Sequence, residues 1–205
     1  MATTILTRSD GEVSRLVHPA EVPELGTIVI DPPWLERGGG KIKRGADRHY
    51  PLMPVWQIIE TIIRCPLWRP ARATGVHVGL WVTNNRLADR SVYAVADALG
   101  VRPVTLRTWV KDKIGIGRYA RGQTEHILFC VAGPATIAPP TEDPVSTLIE
   151  APRREHSEKP DSSFDDFIRT SPGPRAEIFA RTPRPGWYSW GNDPALAAAC
   201  APRPT

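Results

Sequence analysis

Residues 24–34 read Glu-Leu-Gly-Thr-Ile-Val-Ile-Asp-Pro-Pro-Trp, and this stretch constrains the fold more than any other. The run from Thr27 to Ile30 is β-branched and apolar without alternation. It then stops abruptly, because Pro32 and Pro33 each lack an amide N–H and fix φ. A run so short and so sharply bounded suits a strand covered on both faces, as in a parallel sheet between helical layers. In open α/β sheets ligands bind beyond the carboxyl ends of the strands. Asp31, Pro32, Pro33 and Trp34 are expected at that position.

The rest of the chain supports the same class. Strand signals recur at 76–83, 101–111, 125–133, 145–152 and 175–181. Between them, Val55 to Cys65 reads as a helix with Val55, Ile58, Ile59, Ile62 and Ile63 on one face. A second helix is expected after residue 83, with Asn84 or Asn85 near its cap and Gly100 to stop it. Its apolar positions are Leu87, Val92, Val95, Ala96 and Leu99. A third, short helix is expected within 159–172. Strands alternating with helices give an α/β fold with mostly parallel strands. At 205 residues and 41% hydrophobic content, one core suffices. Residues 1–193 read as a single domain, with 1–20 irregular and 194–205 a disordered tail.

Composition also excludes function classes. No apolar run is long enough to span a membrane, and the polar N-terminus lacks a secretion signal, so a cytoplasmic protein with no membrane partner is expected. Cys65, Cys130 and Cys200 share no metal-ligand or disulfide spacing, and no metal site is expected. The formal charge of +4 is compatible with a polyanionic partner but is weak evidence alone.

Asp31-Pro32-Pro33-Trp34 fits one demanding task. An amine on an aromatic ring delocalises its lone pair and is a poor nucleophile. Two acceptors aimed at its hydrogens draw the nitrogen toward tetrahedral geometry and stabilise the charge that develops on methyl transfer. The Asp31 carboxylate and the Pro32 carbonyl, held rigid by Pro33, would be those acceptors, and Trp34 would stack on the ring. Two Gly-rich basic loops, 38–54 and 112–124, are expected to flank this point. Lys41, Lys43, Arg44 and Arg48 in the first, and Arg118, Tyr119 and Arg121 in the second, combine cations with an aromatic. That mixture suits phosphate contact and base stacking. His77 and His156 show no chemical pattern, His126 reads as structural, and Glu177 is open between a structural and a site role.

The whole set resembles the MT-A70 family of N6-adenine methyltransferases. Besides the Asp-Pro-Pro-Trp signature, LWVT (80–83), WVK (109–111), EHILFCVAG (125–133), HSEKPD (156–161), EIFAR (177–181) and GWYSWGND (186–193) occur in the family's order. The resemblance implies a Rossmann-like class I methyltransferase sheet with permuted motif order, which accounts for the lack of an early G-x-G-x-x-G. It implies S-adenosylmethionine as cofactor and S-adenosylhomocysteine as product. Lys159 would then hold the cofactor carboxylate. Phe179 and Arg181 would lie near its ribose, and Asn192 and Asp193 near ribose or adenine. Asp193 stands where members often carry glutamine. Tyr50 and Met53 match a loop that closes over substrate. The implied activity is N6-adenine methylation of nucleic acid, with DNA favoured over RNA because the chain resembles compact bacterial and phage members. An RNA N6-adenosine methyltransferase and a non-catalytic scaffold subunit are the alternatives, and a homo- or heterodimer is allowed. Replacing Asp31 by Ala is expected to abolish transfer and leave cofactor affinity largely intact.

Overall fold

The computed structural model describes residues 5–10, 13–36, 52–115, 119–134, 144–154 and 158–191. Its frame is a nine-stranded mixed sheet. In chain order the strands are β1 (Ile5–Asp10), β2 (Val13–Leu16), β3 (Thr27–Ile30), β4 (Val76–Val82), β5 (Arg102–Val110), β6 (Thr124–Ala132), β7 (Leu148–Glu150), β8 (Arg175–Ile178) and β9 (Trp187–Gly191). The helices are α1 (Val55–Arg64), α2 (Asn84–Ala88), α3 (Ser91–Ala98) and α4 (Asp161–Thr170). Across the sheet the order is β2-β1-β9-β8-β3-β4-β6-β5-β7. β1 and β6 run against the other strands, so the expected mostly parallel arrangement holds. The early strand β3 lies between β4 and the late strand β8, as a permuted order requires.

β3 shows no alternation because both its faces are buried. Ile28 and Ile30 pack in one cluster with Ile58 and Ile62 of α1 and with Val92, Val95 and Ala96 of α3. Val29 joins the opposite cluster with Phe164 and Phe167 of α4. β4 is likewise buried throughout. There Gly79 makes room for α4: a Cβ at this position would lie 2.4 Å from Cζ of Phe167. On α1, Ile58 and Ile62 are buried, Val55 and Ile59 are partly so, and Ile63 is 52% exposed. Ile63 falls about 100° around the helix from Ile62, at the margin of the stripe.

Two expectations need correction. The helix after β4 is two helices, because Arg90 adopts a left-handed φ of 64° and Asp89 Oδ1 accepts from the Ser91 amide at 2.9 Å. Its N-cap is Thr83, whose hydroxyl accepts from the Arg86 amide, so Asn84 and Asn85 stand next to the cap as expected. Gly100 does end α3, with φ of 67° and the Val101 amide bonded back to the Ala96 carbonyl. Finally, residues 1–20 are not irregular as a whole: β1 and β2 form an antiparallel hairpin that extends the sheet beyond β9. The expected 194–205 tail lies outside the described residues. Among the described residues no helix is long and apolar enough to cross a membrane.

Candidate active site

The carboxyl edge of the sheet gathers the site. Asp31 directly follows β3, and its amide still bonds to the Ile178 carbonyl of β8 at 3.2 Å. Side chains alternate across a strand, so Asp31 shares the face of Val29, toward α4. Lys159 precedes α4 and reaches the same point, with Nζ 2.9 Å from Asp31 Oδ1. Arg181, just past β8, approaches the other oxygen at 3.4 Å. Because β6 is antiparallel to β4 and β5, its first residues lie at this edge too. Glu125 Oε2 is 3.2 Å from Lys159 Nζ, and Glu125 Oε1 is 2.5 Å from Lys111 Nζ. These groups form one alternating row of charges: Lys111, Glu125, Lys159, Asp31, Arg181.

Burial makes that row costly unless it is paired. The side chain of Lys159 is 6% exposed. Burial works against its ammonium, yet the Asp31 and Glu125 carboxylates outweigh it and hold the pKa above the ordinary lysine value. Glu125 is the mirror case: burial disfavours its charge, and Lys159 with Lys111 holds its carboxyl below the usual range. Both groups therefore stay ionised in a partly closed cleft. The cleft is lined by Asp31, Pro32, Trp34, Glu125, Lys159 and Arg181, with Glu36, Leu52, Val82 and Thr83.

The backbone around Asp31 is fixed from several sides. The Pro32 carbonyl accepts from the Trp34 amide at 2.9 Å, and the Pro33 carbonyl from the Met53 amide at 2.8 Å. The Leu35 amide donates to the Met53 carbonyl at 3.0 Å, so residues 33–35 and Met53 form a short ladder. A carbonyl has two lone pairs, and Pro32 keeps one for a ligand. The Trp34 side chain is buried, and its indole N–H donates to the Trp81 carbonyl at 2.9 Å. Its ring is thus a fixed wall of the cleft, anchored at one end.

Residues 25–193 match the model of the MT-A70 family. The chain belongs to the MT-A70 family. Over 189 residues it is 29% identical to the N6-methyladenosine RNA methyltransferase MTA1 of Cryphonectria parasitica, covering 85% of this chain and 53% of that protein. A match to the type II methyltransferase M.MunI of a Mycoplasma species is also 29% identical, over 113 residues, covering 55% of this chain and 48% of that protein. The N(6)-adenine-specific methyltransferase METTL4 of Mus musculus is 29% identical over 191 residues, covering 81% of this chain and 36% of that protein. The chain therefore spans about half, or less, of the length of each of these relatives.

Set against this MT-A70 framework, the sequence-derived residues divide into four groups. Asp31, Pro32, Trp34, Lys159 and Arg181 meet at the cleft. Pro33, Met53 and Phe179 stand behind it. Met53 supports residues 33–35 through its backbone and has the Thr61 hydroxyl 3.9 Å from its sulfur. Phe179 adopts a positive φ of 66° and packs edge-on against Trp190 at 6.0 Å. Past this turn the Ala180 amide still bonds to the Trp190 carbonyl of β9 at 3.0 Å, and Arg181 follows directly. Arg181, expected near ribose, is bonded to the Asp31 carboxylate. Tyr119 is fully exposed, Arg121 donates to the Gly115 carbonyl at 3.0 Å, and neither lines the cleft. Lys41, Lys43, Arg44, Arg48, Tyr50, Arg118, Asn192 and Asp193 lie outside the described residues.

Glu177 is tied to Arg184 and also feels the charges of Asp31 and Arg181. It is buried, Oε2 accepts from Arg184 Nε at 3.1 Å, and burial pushes its pKa up to about 6 although Arg184 opposes the shift. Arg184 also pairs with Asp161 at 2.7 Å and lies 3.5 Å from the centroid of the Phe164 ring, tying β8 to α4. His126 bonds Thr108 and Asn84 through its two ring nitrogens, a bracing role. Glu125, Lys111, Glu36 and Thr83 were missed as site residues. Glu36 bonds the Thr83 hydroxyl at 2.5 Å and Asn85 at 2.9 Å, closing the rim. Among the described residues no cluster of three or more His, Cys, Asp or Glu side chains is placed to hold a metal.

Proposed function

We propose that residues 1–193 act as one S-adenosylmethionine-dependent methyltransferase domain that modifies the N6 amine of adenine in nucleic acid, with DNA as the favoured substrate. The observation that carries this reading is Asp31 on a rigid Pro-Pro turn at the carboxyl edge of the sheet, 2.9 Å from the buried ammonium of Lys159. The donor set fits the cofactor. Its amino-acid end carries a carboxylate, and the cleft offers Lys159 and Arg181 as cationic partners for it.

When bound, S-adenosylmethionine would supply an electrophilic methyl group to the amine lone pair, its S–C electron pair staying on sulfur, and the proton lost from nitrogen would pass to solvent water. Asp31 accepts from the target amine and stabilises the positive charge that develops there. Pro32 offers its remaining carbonyl lone pair beside it. The ring of Trp34, held by Trp81, limits the plane that a base can occupy. The names of two relatives, MTA1 and METTL4, support adenine as the acceptor, and the first is an RNA enzyme. The thiols of Cys65 and Cys130, both buried and unpaired, suit a reducing cytoplasm.

The test is methyl transfer to matched duplex DNA, single-stranded DNA and RNA, with products digested and identified by mass spectrometry. N6-methyladenine is expected, most strongly in a DNA pool. Asp31→Asn is expected to lower kcat by about 100-fold or more, the scale for losing a preorganised electrostatic contact. Full activity in that variant sinks the catalytic assignment. Transfer to RNA alone moves the substrate to the RNA alternative, cofactor binding without transfer points to a missing partner or a different acceptor, and absence of both transfer and cofactor binding points to the scaffold alternative.

A further inference from the structure

The cleft contains an acid that the reaction outlined above leaves without a part. We propose that Glu125 is a positioning residue for methyl transfer, sharing Lys159 with Asp31 so that the Asp31 carboxylate keeps accepting capacity for the target amine. This inference rests on the methyltransferase reading of the site.

An ammonium has three donors and no acceptor. Lys159 directs itself to Asp31 Oδ1 at 2.9 Å and to Glu125 Oε2 at 3.2 Å. The second oxygen of Glu125 is taken by Lys111 at 2.5 Å, and Lys111 Nζ lies 4.7 Å from the centroid of the Trp109 ring. Glu125 is thereby held from the end of β5 while it holds Lys159 together with Asp31. Its side chain is 13% exposed, so water screens these attractions poorly.

The consequence concerns Asp31. A second carboxylate on the same cation offsets part of the cation's field at the first and competes for its N–H donors. Without Glu125, Lys159 closes on Asp31. The Asp31 charge then serves the ion pair instead of the nitrogen that becomes positive as the methyl arrives. The cofactor carboxylate loses nothing by the same change. Lys159 remains charged beside Asp31, and a neighbouring anion has gone. A residue that merely propped Lys159 in place would behave in the opposite way, weakening cofactor binding first.

The experiment uses the full chain with Glu125→Gln and Glu125→Ala. Thermal unfolding checks the fold, calorimetry measures S-adenosylhomocysteine affinity, and kcat is measured at saturating S-adenosylmethionine and nucleic acid. Glu125→Ala is expected to lower kcat by about tenfold or more, and Glu125→Gln by less, because its amide oxygen still accepts from Lys159. S-adenosylhomocysteine affinity is expected to stay within about threefold of the unsubstituted protein, or to tighten. Product affinity weakened by about tenfold with kcat preserved at saturation overturns the proposal and makes Glu125 a strut for the cofactor lysine. Unchanged kcat and affinity in both variants overturn it as well. Absence of transfer by the unsubstituted protein overturns the reaction reading itself, and this inference with it.

Discussion

Lys159→Met separates the two jobs that the row of charges performs. The substitution keeps most of the side-chain length and removes the charge. Truncating one member of a buried ion pair ordinarily costs about 3–5 kcal/mol, because the partner is left buried and unpaired. Here neither partner is stranded: Asp31 retains Arg181 at 3.4 Å and Glu125 retains Lys111 at 2.5 Å. The expected loss of stability is therefore lower, about 1–3 kcal/mol. For a domain of this size that corresponds to a fall in Tm of roughly 2–12 °C. The effect on cofactor is larger in proportion. A charge-assisted hydrogen bond contributes about 1.5–3 kcal/mol, or roughly 10- to 150-fold in Kd. Without the ammonium, the cofactor carboxylate also faces Asp31 and Glu125, which places the expected loss in the upper half of that range. Calorimetric titration with S-adenosylhomocysteine, on protein shown to be folded by its unfolding transition, reads the number directly. An affinity within about threefold of the unsubstituted protein would refute the placement of the carboxylate on Lys159.

Two further outcomes follow from the packing beneath the site. His77 is buried, bonded through Nδ1 to the Ser171 hydroxyl at 2.9 Å, and its Nε2 has no hydrogen-bond partner among the described residues. Burial holds its pKa below the ordinary value of 6.5, so the unfolded chain binds the proton more readily. Stability is then fully present above pH about 6.5 and declines as pH falls from there toward the lower folded value. Denaturant unfolding at pH about 7.5 and about 5 should show a smaller difference for His77→Gln, and an equal difference would remove His77 as a cause. Gly79→Ala drives a Cβ to within 2.4 Å of the Phe167 ring, which is itself stacked on Phe129 at 6.0 Å. Overpacking of this kind costs about 1–3 kcal/mol. A midpoint unchanged in urea would show that α4 shifts freely on the sheet.

The elements that were legible in the sequence are those that one physical cause determines. β3 and β4 are buried on both faces, so their apolar runs needed no partner to be recognised. Gly100 stopped α3 through a conformation that glycine tolerates best. The hairpin of β1 and β2 left no comparable mark, because its segments Ile5–Asp10 and Val13–Leu16 are short and largely polar. The break between α2 and α3 depends on a left-handed Arg90, a backbone state its side chain does not advertise. β9 was quoted as a motif but not recognised as a strand, although it carries Gly191, where a Cβ would come within 1.9 Å of the Ala180 carbonyl oxygen.

The site follows the same division. Asp31 and Lys159 each stand in a recognisable motif, but nothing local says that they touch. Glu125 was invisible for a topological reason. As the second residue of a strand parallel to β4 it would lie at the far end of the sheet; the reversal of β6 brings it beside Lys159. That reversal alters what substitution at Asp31 means. Treating the acid as catalytic and the lysine as cofactor-binding assumes two separable roles, and hence a cofactor affinity indifferent to Asp31→Ala. The 2.9 Å ion pair makes them one electrostatic unit. Any change at Asp31 redistributes Lys159 and Arg181 between Glu125 and the ligand, so the two substitutions should not act additively. The cleft is organised around a shared cation, and its acids are defined by how they divide it.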